Sequence, residues 1–261
     1  MKGANFMAKN SYSINDSNSP KNKLEGLYRA IAADRNATLK KDLDSIFDIA
    51  FDNKAFPNIN IPGDKNEKIY IEKWVSGYDN AMDNLPSSRI ASAKSACSDP
   101  AIKLLVQATR GSSDEEALSE ESFHNLYMSA ENIQGNLLEE YIALNTRKYG
   151  FLWCNGNVLR AIDFCNTDGS LLLQVKNKNN TENSSSSNIR EGTDIIKWYR
   201  LGSCKVNGQV LPKFHWDELN EIINSHKTEG FDLEPCNMNE EDYEAFLRKV
   251  ATNNPNIITD K

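Results

Sequence analysis

Residues 157–177 hold two apolar runs separated by Asn166-Thr167-Asp168-Gly169. Asp-Gly between apolar runs is a strong short-range mark of a β-hairpin. The spacing predicts one strand over Val158–Phe164 and a second over Leu171–Lys176. Side chains alternate faces along a strand. Leu171, Leu173 and Val175 therefore share one face, and Leu172, Gln174 and Lys176 the other. On the first strand Ala161 and Asp163 lie together, opposite Ile162 and Phe164. Closing the hairpin brings Asp163 towards Gln174 and Lys176. A buried strand has no reason to place a lysine beside a glutamine unless that face meets something polar. A carboxylate, an amide and an ammonium so arranged can hold a divalent cation, a phosphodiester and a water.

The flanking sequence extends the pattern. Ile133, Leu137, Leu138, Tyr141 and Ile142 recur every three to four residues, which predicts a helix with one buried stripe. Tyr149-Gly150 ends it, and Phe151-Leu152-Trp153 reads as a strand. After the hairpin comes a polar stretch, Asn177 to Ser187, and then a second helix is expected over Thr193–Leu201.

This order, with Gly135-x3-Glu139, Asp163 and Gln174-x-Lys176, resembles the PD-(D/E)xK nuclease core. The string from Gln174 through the Asn/Ser run to Ser187, then Gly192-Thr193 and Lys197-Trp198-Tyr199-Arg200, is similar to the SinI type of type II restriction endonuclease. Trp216-Asp217 and Asn239 to Phe246 add to the likeness, which covers roughly residues 131–250. Two positions depart from the pattern. Ile162 stands where the motif has proline, and Gln174 where it has an acid. The second departure removes an anionic ligand, although an amide oxygen still suits Mg²⁺, which takes hard oxygen donors and keeps several waters.

The resemblance implies an α/β fold: a restriction-endonuclease-like mixed sheet flanked by helices, with a helical N-terminal lobe. It implies Mg²⁺ held by Asp163, Gln174, the Val175 carbonyl and Glu139, with Glu140 as the alternative if the helix register slips by one. Lys176 then sits over the attacking water or the phosphate, where a cation stabilises the charge of the transition state. Lys178, Asn179, Asn183, Ser184, Ser185, Arg190, Lys197 and Arg200 are candidate DNA contacts, since amides, hydroxyls and cations bind phosphates and base edges. The implied reaction is Mg²⁺-dependent hydrolysis of double-stranded DNA at a short GG/CC-type interrupted palindrome. The implied partners are a second copy of the chain and a cognate DNA methyltransferase in the same system. Two other readings fit the residues: a structure-selective repair or junction nuclease, and a DNA-binding module without catalysis.

Charge distribution agrees with a nucleic-acid partner more than net charge does. The whole chain carries −7, yet Arg147 to Lys213 holds ten Lys/Arg against five Asp/Glu, a local +5 that leaves −12 for the rest. A basic span around metal-binding acids suits phosphate chemistry. Five cysteines without a C-x-x-C pair, and three histidines without metal-binding spacing, argue against zinc and against a disulfide framework. No run approaches ~18 apolar residues and no hydrophobic stretch follows Met1. A reducing cytoplasm is the expected location.

The organisation expected along the chain is a flexible 1–20, a mainly helical 21–125, and a catalytic core over 126–261. Helical spacing runs through Lys21–Ala55, Pro100–Gln107, Trp216–Ser225 and Asn239–Val250, with Asn239 as an N-cap. Gly111–Glu121 reads as an acidic loop, and Ile69–Val75 fits either a strand or a helix start.

Overall fold

A computed structural model describes residues 9–63, 66–92, 99–178, 194–227 and 234–259. Contacts divide the chain into two units, 1–84 with 142–238, and 85–141 with 239–261.

The first unit is built on a five-stranded sheet of β4 (Phe151–Trp153), β5 (Phe164–Asn166), β6 (Leu172–Lys178), β7 (Ile195–Val206) and β8 (Gln209–Phe214), in that order. β6 and β7 run parallel, and the other neighbours are antiparallel. The expected mixed sheet with flanking helices is what the chain forms.

Three N-terminal helices cover one face: α1 (Lys21–Ala32), α2 (Ala37–Asp52) and α3 (Glu67–Asp83). Asn36 and Asn66 cap α2 and α3 by accepting from Thr38 N and Ile69 N. Leu24, Tyr28 and Ala32 of α1, and Leu43, Ile46, Phe47 and Ala50 of α2, keep the 3–4 spacing of one buried stripe. They share a core with Leu152, Cys154, Cys165 and Leu172 of the sheet. At its centre Phe47 stacks on Tyr28 at 4.6 Å, and Trp74 meets Phe56 edge-on at 5.6 Å. Each such aromatic pair adds about 0.5–1.5 kcal/mol beyond area burial. The buried Asp42 is paired by two bonds from Arg147, at 2.6 and 2.8 Å. Arg147 thus stabilises this core. On the opposite sheet face Trp198 packs against Trp216 of α6 (Trp216–Ser225), with ring centres 5.3 Å apart. β1 (Lys9–Tyr12) pairs with β2 (Ile59–Pro62), and Tyr12 and Ile14 are buried.

The second unit contains α4 (Pro100–Arg110), α7 (Glu240–Asn253), the short parallel pair β3 (Ala91–Ser92) and β9 (Ile258–Thr259), and α5 (Asp114–Thr146) as far as Tyr141. Ile133 and Leu137 of α5 cluster with Val250 and Ile257. Tyr141 packs on Tyr243 and Phe246. Asn239 caps α7 through Asp242 N, as its position before three acids requires. The residue pair 125/126 falls inside α5.

Three local expectations need correction. Val158–Phe164 is not a strand: β5 starts at Phe164, because Gly156, Asn157 and Ala161 all take positive φ. Thr193–Leu201 is not a helix: Ile195, Ile196, Trp198 and Tyr199 belong to β7, as their β-branched and aromatic side chains favour. Within Gly111–Glu121, α5 already begins at Asp114, where three acids occupy the first turn and suit the helix N-terminus.

Candidate active site

Asp163 enters the site from a tightly anchored turn. Arg160 N donates to Ala55 O at 2.7 Å, and Trp74 Nε1 donates to Val158 O at 2.8 Å. Gly156 lies so close to α3 that a Cβ there would meet Gly77 O at 2.7 Å and Ala81 Cβ at 2.9 Å, with φ at +80°. Only glycine serves at that position. At the far end of β5, Gly169 (φ +74°) closes the hairpin and donates to Asn166 O. The Asp-Gly turn read from the sequence is therefore present.

Asp163 itself continues the ladder. Its N–H donates to Leu173 O and its carbonyl accepts from Cys154 N, both at 2.9 Å. The β5–β6 ladder ends at the Phe164–Leu173 pair, and Asp163 N bonds the same Leu173 carbonyl, so Asp163 stands just beyond the paired residues, as in a bulge. The Asp163 carboxylate accepts the Val175 N–H at 2.7 Å. Burial pushes its carboxyl above the usual carboxylate range, while the Val175 bond and the positive charge of Lys176 pull it back. Asp163, Gln174, Val175 and Lys176 are thus brought together, and Lys176 is close enough for its charge to act on Asp163.

Gln174 is buried, and among the described residues its Oε1 has no hydrogen-bond partner. A bare buried acceptor is costly. A divalent cation facing Asp163 would satisfy it, so the donor set fits a hard ion. Among the described residues no three His, Cys, Asp or Glu side chains gather into a metal-binding group. The Asp163 carboxylate and the Gln174 amide oxygen are donors, with the Val175 main chain beside them. Glu139 is half-buried on α5, in the other unit from Asp163. Glu140 is buried and accepts from Ser87 N at 2.8 Å and from the Ser87 hydroxyl, which commits it to holding the Pro86–Ser88 turn.

The strand β7 adds residues whose placement the sequence did not reveal. Gln174 pairs with Lys197, Lys176 with Tyr199, and Lys178 with Leu201. Paired residues on adjacent strands lie about 4.8 Å apart and share a face. Lys197 and Tyr199 therefore flank Gln174 and Lys176 on their face of the sheet. Lys178, exposed at the end of β6, is on that side too. Arg200 is on the opposite face, buried, with its Nε donating to Asn177 Oδ1 at 3.0 Å and its guanidinium over the Phe214 ring. Asn179, Asn183, Ser184, Ser185 and Arg190 lie outside the described residues. The composition of residues 195–201 was the signal that could have placed Tyr199, but parallel register has no local mark.

The profile of the SinI restriction endonuclease family matches residues 30–249. The chain is 41% identical over 129 residues to the type II restriction enzyme Eco47I of Escherichia coli. It is 38% identical over 135 residues to the type II restriction enzyme SinI of Salmonella infantis. These matches take in 48% and 49% of this chain, and 49% and 52% of those proteins, so the chain spans about half the length of the relatives it matches. The family profile, by contrast, runs from the end of α1 through α2, α3 and the sheet into α7. On that match, the chain belongs to the SinI restriction endonuclease family.

Proposed function

We propose that this chain is a type II restriction endonuclease that hydrolyses phosphodiesters of double-stranded DNA with Mg²⁺. The observation that carries the reading is the pair formed by the Asp163 carboxylate and the bare, buried Gln174 Oε1, with Lys176 next to them on a sheet face. Asp163, Gln174 Oε1 and the Val175 carbonyl would hold the ion. A bound Mg²⁺ supplies Lewis acidity and a water of lowered pKa. Asp163 aims the site, because its bond to Val175 N fixes the carboxylate against the edge of β6. Lys176 stabilises the negative charge that builds on the phosphate as a water oxygen bonds to phosphorus and the bond to the 3′ oxygen breaks. The products are a 5′-phosphate and a 3′-hydroxyl.

The DNA side of the site is the face that carries Lys176, Lys178, Lys197 and Tyr199, extended by the Asn/Ser run and Arg190. The target is a short GG/CC-type interrupted palindrome. Two copies of the chain act together, one site per strand, since a palindrome matches two-fold symmetry. A cognate methyltransferase protects host DNA, and the protein works in the cytoplasm. None of the described helices is long and apolar enough to cross a membrane.

Digestion of a long DNA with Mg²⁺ is the test. Discrete bands are expected from the unmodified chain. Asp163→Ala and Lys176→Ala should each lose cleavage by at least ~10³-fold, as expected for groups that act on the reacting phosphate. Both should keep Ca²⁺-supported DNA binding. A smear in place of bands favours a structure-selective nuclease. Mg²⁺-indifferent binding without cleavage makes the chain a binding module and overturns the proposal.

A further inference from the structure

Helix α4 is eleven residues long and buries none of its side chains. Helices of that length are marginal alone, and most gain their stability by packing an apolar stripe. Here the stripe is open: Ile102, Leu104 and Leu105 are 62–68% exposed. Across the Gly111–Ser113 link, α5 leaves Phe123, Tyr127 and Met128 46–71% exposed. The two helices are tied to each other by Lys103–Asp114 and Arg110–Glu120 ion pairs, which fix the hairpin without covering these side chains. At roughly 150–250 Å² per large side chain, the six leave on the order of 700 Å² of apolar surface. Monomers seldom carry an apolar patch above about 300–600 Å². A standard stable interface takes about 800 Å² from each partner.

The same hairpin carries a groove of about 370 Å³ with Ile102, Val106 and Ala117 in its wall, where the carboxylates of Asp99, Glu120 and Glu121 stand with Lys103 and His124. Knobs and a hole on one surface are self-complementary, which a two-fold contact between identical chains requires. Three carboxylates against one lysine in the groove wall disfavour a polyanion as the occupant. We propose that the α4–α5 hairpin is the self-association surface of this protein and that a second copy of the chain covers it. The proposal deepens, and rests on, the paired-subunit reading above.

The test is the molar mass of the full chain by sedimentation or light scattering, with Leu105→Glu and Tyr127→Glu as separate variants. The unmodified chain should run at twice its 29.4 kDa. Each variant should run at the single-chain mass, since a buried carboxylate facing a copy of itself weakens the contact by at least ~100-fold. Hydrogen exchange of the α4 amides in the unmodified chain is the second readout, and it is unaffected if a variant fails to fold. These amides should exchange slowly in concentrated solution and quickly on dilution. A dimer that both variants leave intact, or α4 protection that ignores dilution, overturns the surface and spares the paired reading. A wild-type monomer at ~100 µM overturns both, and discrete DNA bands from such a monomer would still support the nuclease.

Discussion

At the scale of single residues, the site stands on a compromise at Asp163. Its carboxylate sits in a place that favours the protonated form, because burial outweighs what Val175 N and Lys176 return. The folded pKa therefore lies above the unfolded one, the native state holds more protons, and stability falls as pH rises through the interval between them. A cation facing Asp163 and Gln174 Oε1 would reverse that balance. Asp163→Asn removes the charge while an amide oxygen can still accept from Val175 N. The variant should melt at a higher temperature than the unmodified chain at pH 7 without divalent metal. The gap should narrow as pH falls below the ordinary carboxylate range. Adding Ca²⁺ should raise the Tm of the unmodified chain and leave that of Asp163→Asn unmoved. Equal metal-induced shifts in both proteins would mean that the ion binds elsewhere. Gln174 belongs to the same argument: a buried amide with a bare oxygen is costly to the fold, and binding an ion there offsets the cost.

Among the elements, the parallel pairing of β6 and β7 decides which side chains share a face with Gln174 and Lys176. The three residues on the hairpin were legible because period-2 alternation and an Asp-Gly turn are local signals. The turn that delivers Asp163 was not legible, since Gly156 is required by α3, nearly eighty residues upstream. Nor was the companionship of Lys197 and Tyr199, because their place depends on a parallel pairing across sixteen intervening residues. Reading Thr193–Leu201 as a helix hid the alternation that sets Lys197 and Tyr199 on one face and Trp198 and Arg200 on the other. Tyr199 pairs with Lys176, and its hydroxyl would be a donor for a phosphate oxygen bound on that face. Tyr199→Phe should lower kcat/KM for cleavage about tenfold, the equivalent of one hydrogen bond to a charged group at ~1.4 kcal/mol. Cys204→Ser, further along β7 on the Trp198 side, is the control and should leave cleavage unchanged. Wild-type kinetics in Tyr199→Phe would remove that hydroxyl from the site.

For the molecule as a whole, charge is segregated more than its −7 suggests. The +5 span from Arg147 to Lys213 includes strands β6, β7 and β8. Two of its members are engaged inside the fold. Arg147 is committed to the buried Asp42, and Arg200 to Asn177 and Phe214. On the sheet face of Gln174 stand Lys176, Lys178, Lys197 and, towards the tip of β7, Lys205. Phosphate contacts made by such lysines release counterions, and each one adds about 0.9 to the slope of log affinity against log salt. Lys178 and Lys205 are exposed and stand outside the reacting centre, so changing them should not disturb Asp163. In the Lys178→Ala/Lys205→Ala double variant the salt slope for Ca²⁺-supported binding should drop by about 2 per subunit, and affinity should fall alike for cognate and unrelated duplexes. Lys68→Ala, on the exposed side of α3, removes one lysine charge and should leave the slope within about 0.3 of its starting value. A slope unchanged in the double variant would place the duplex on another surface, because net charge alone cannot separate two lysine losses at different sites while counterion release at the contact does.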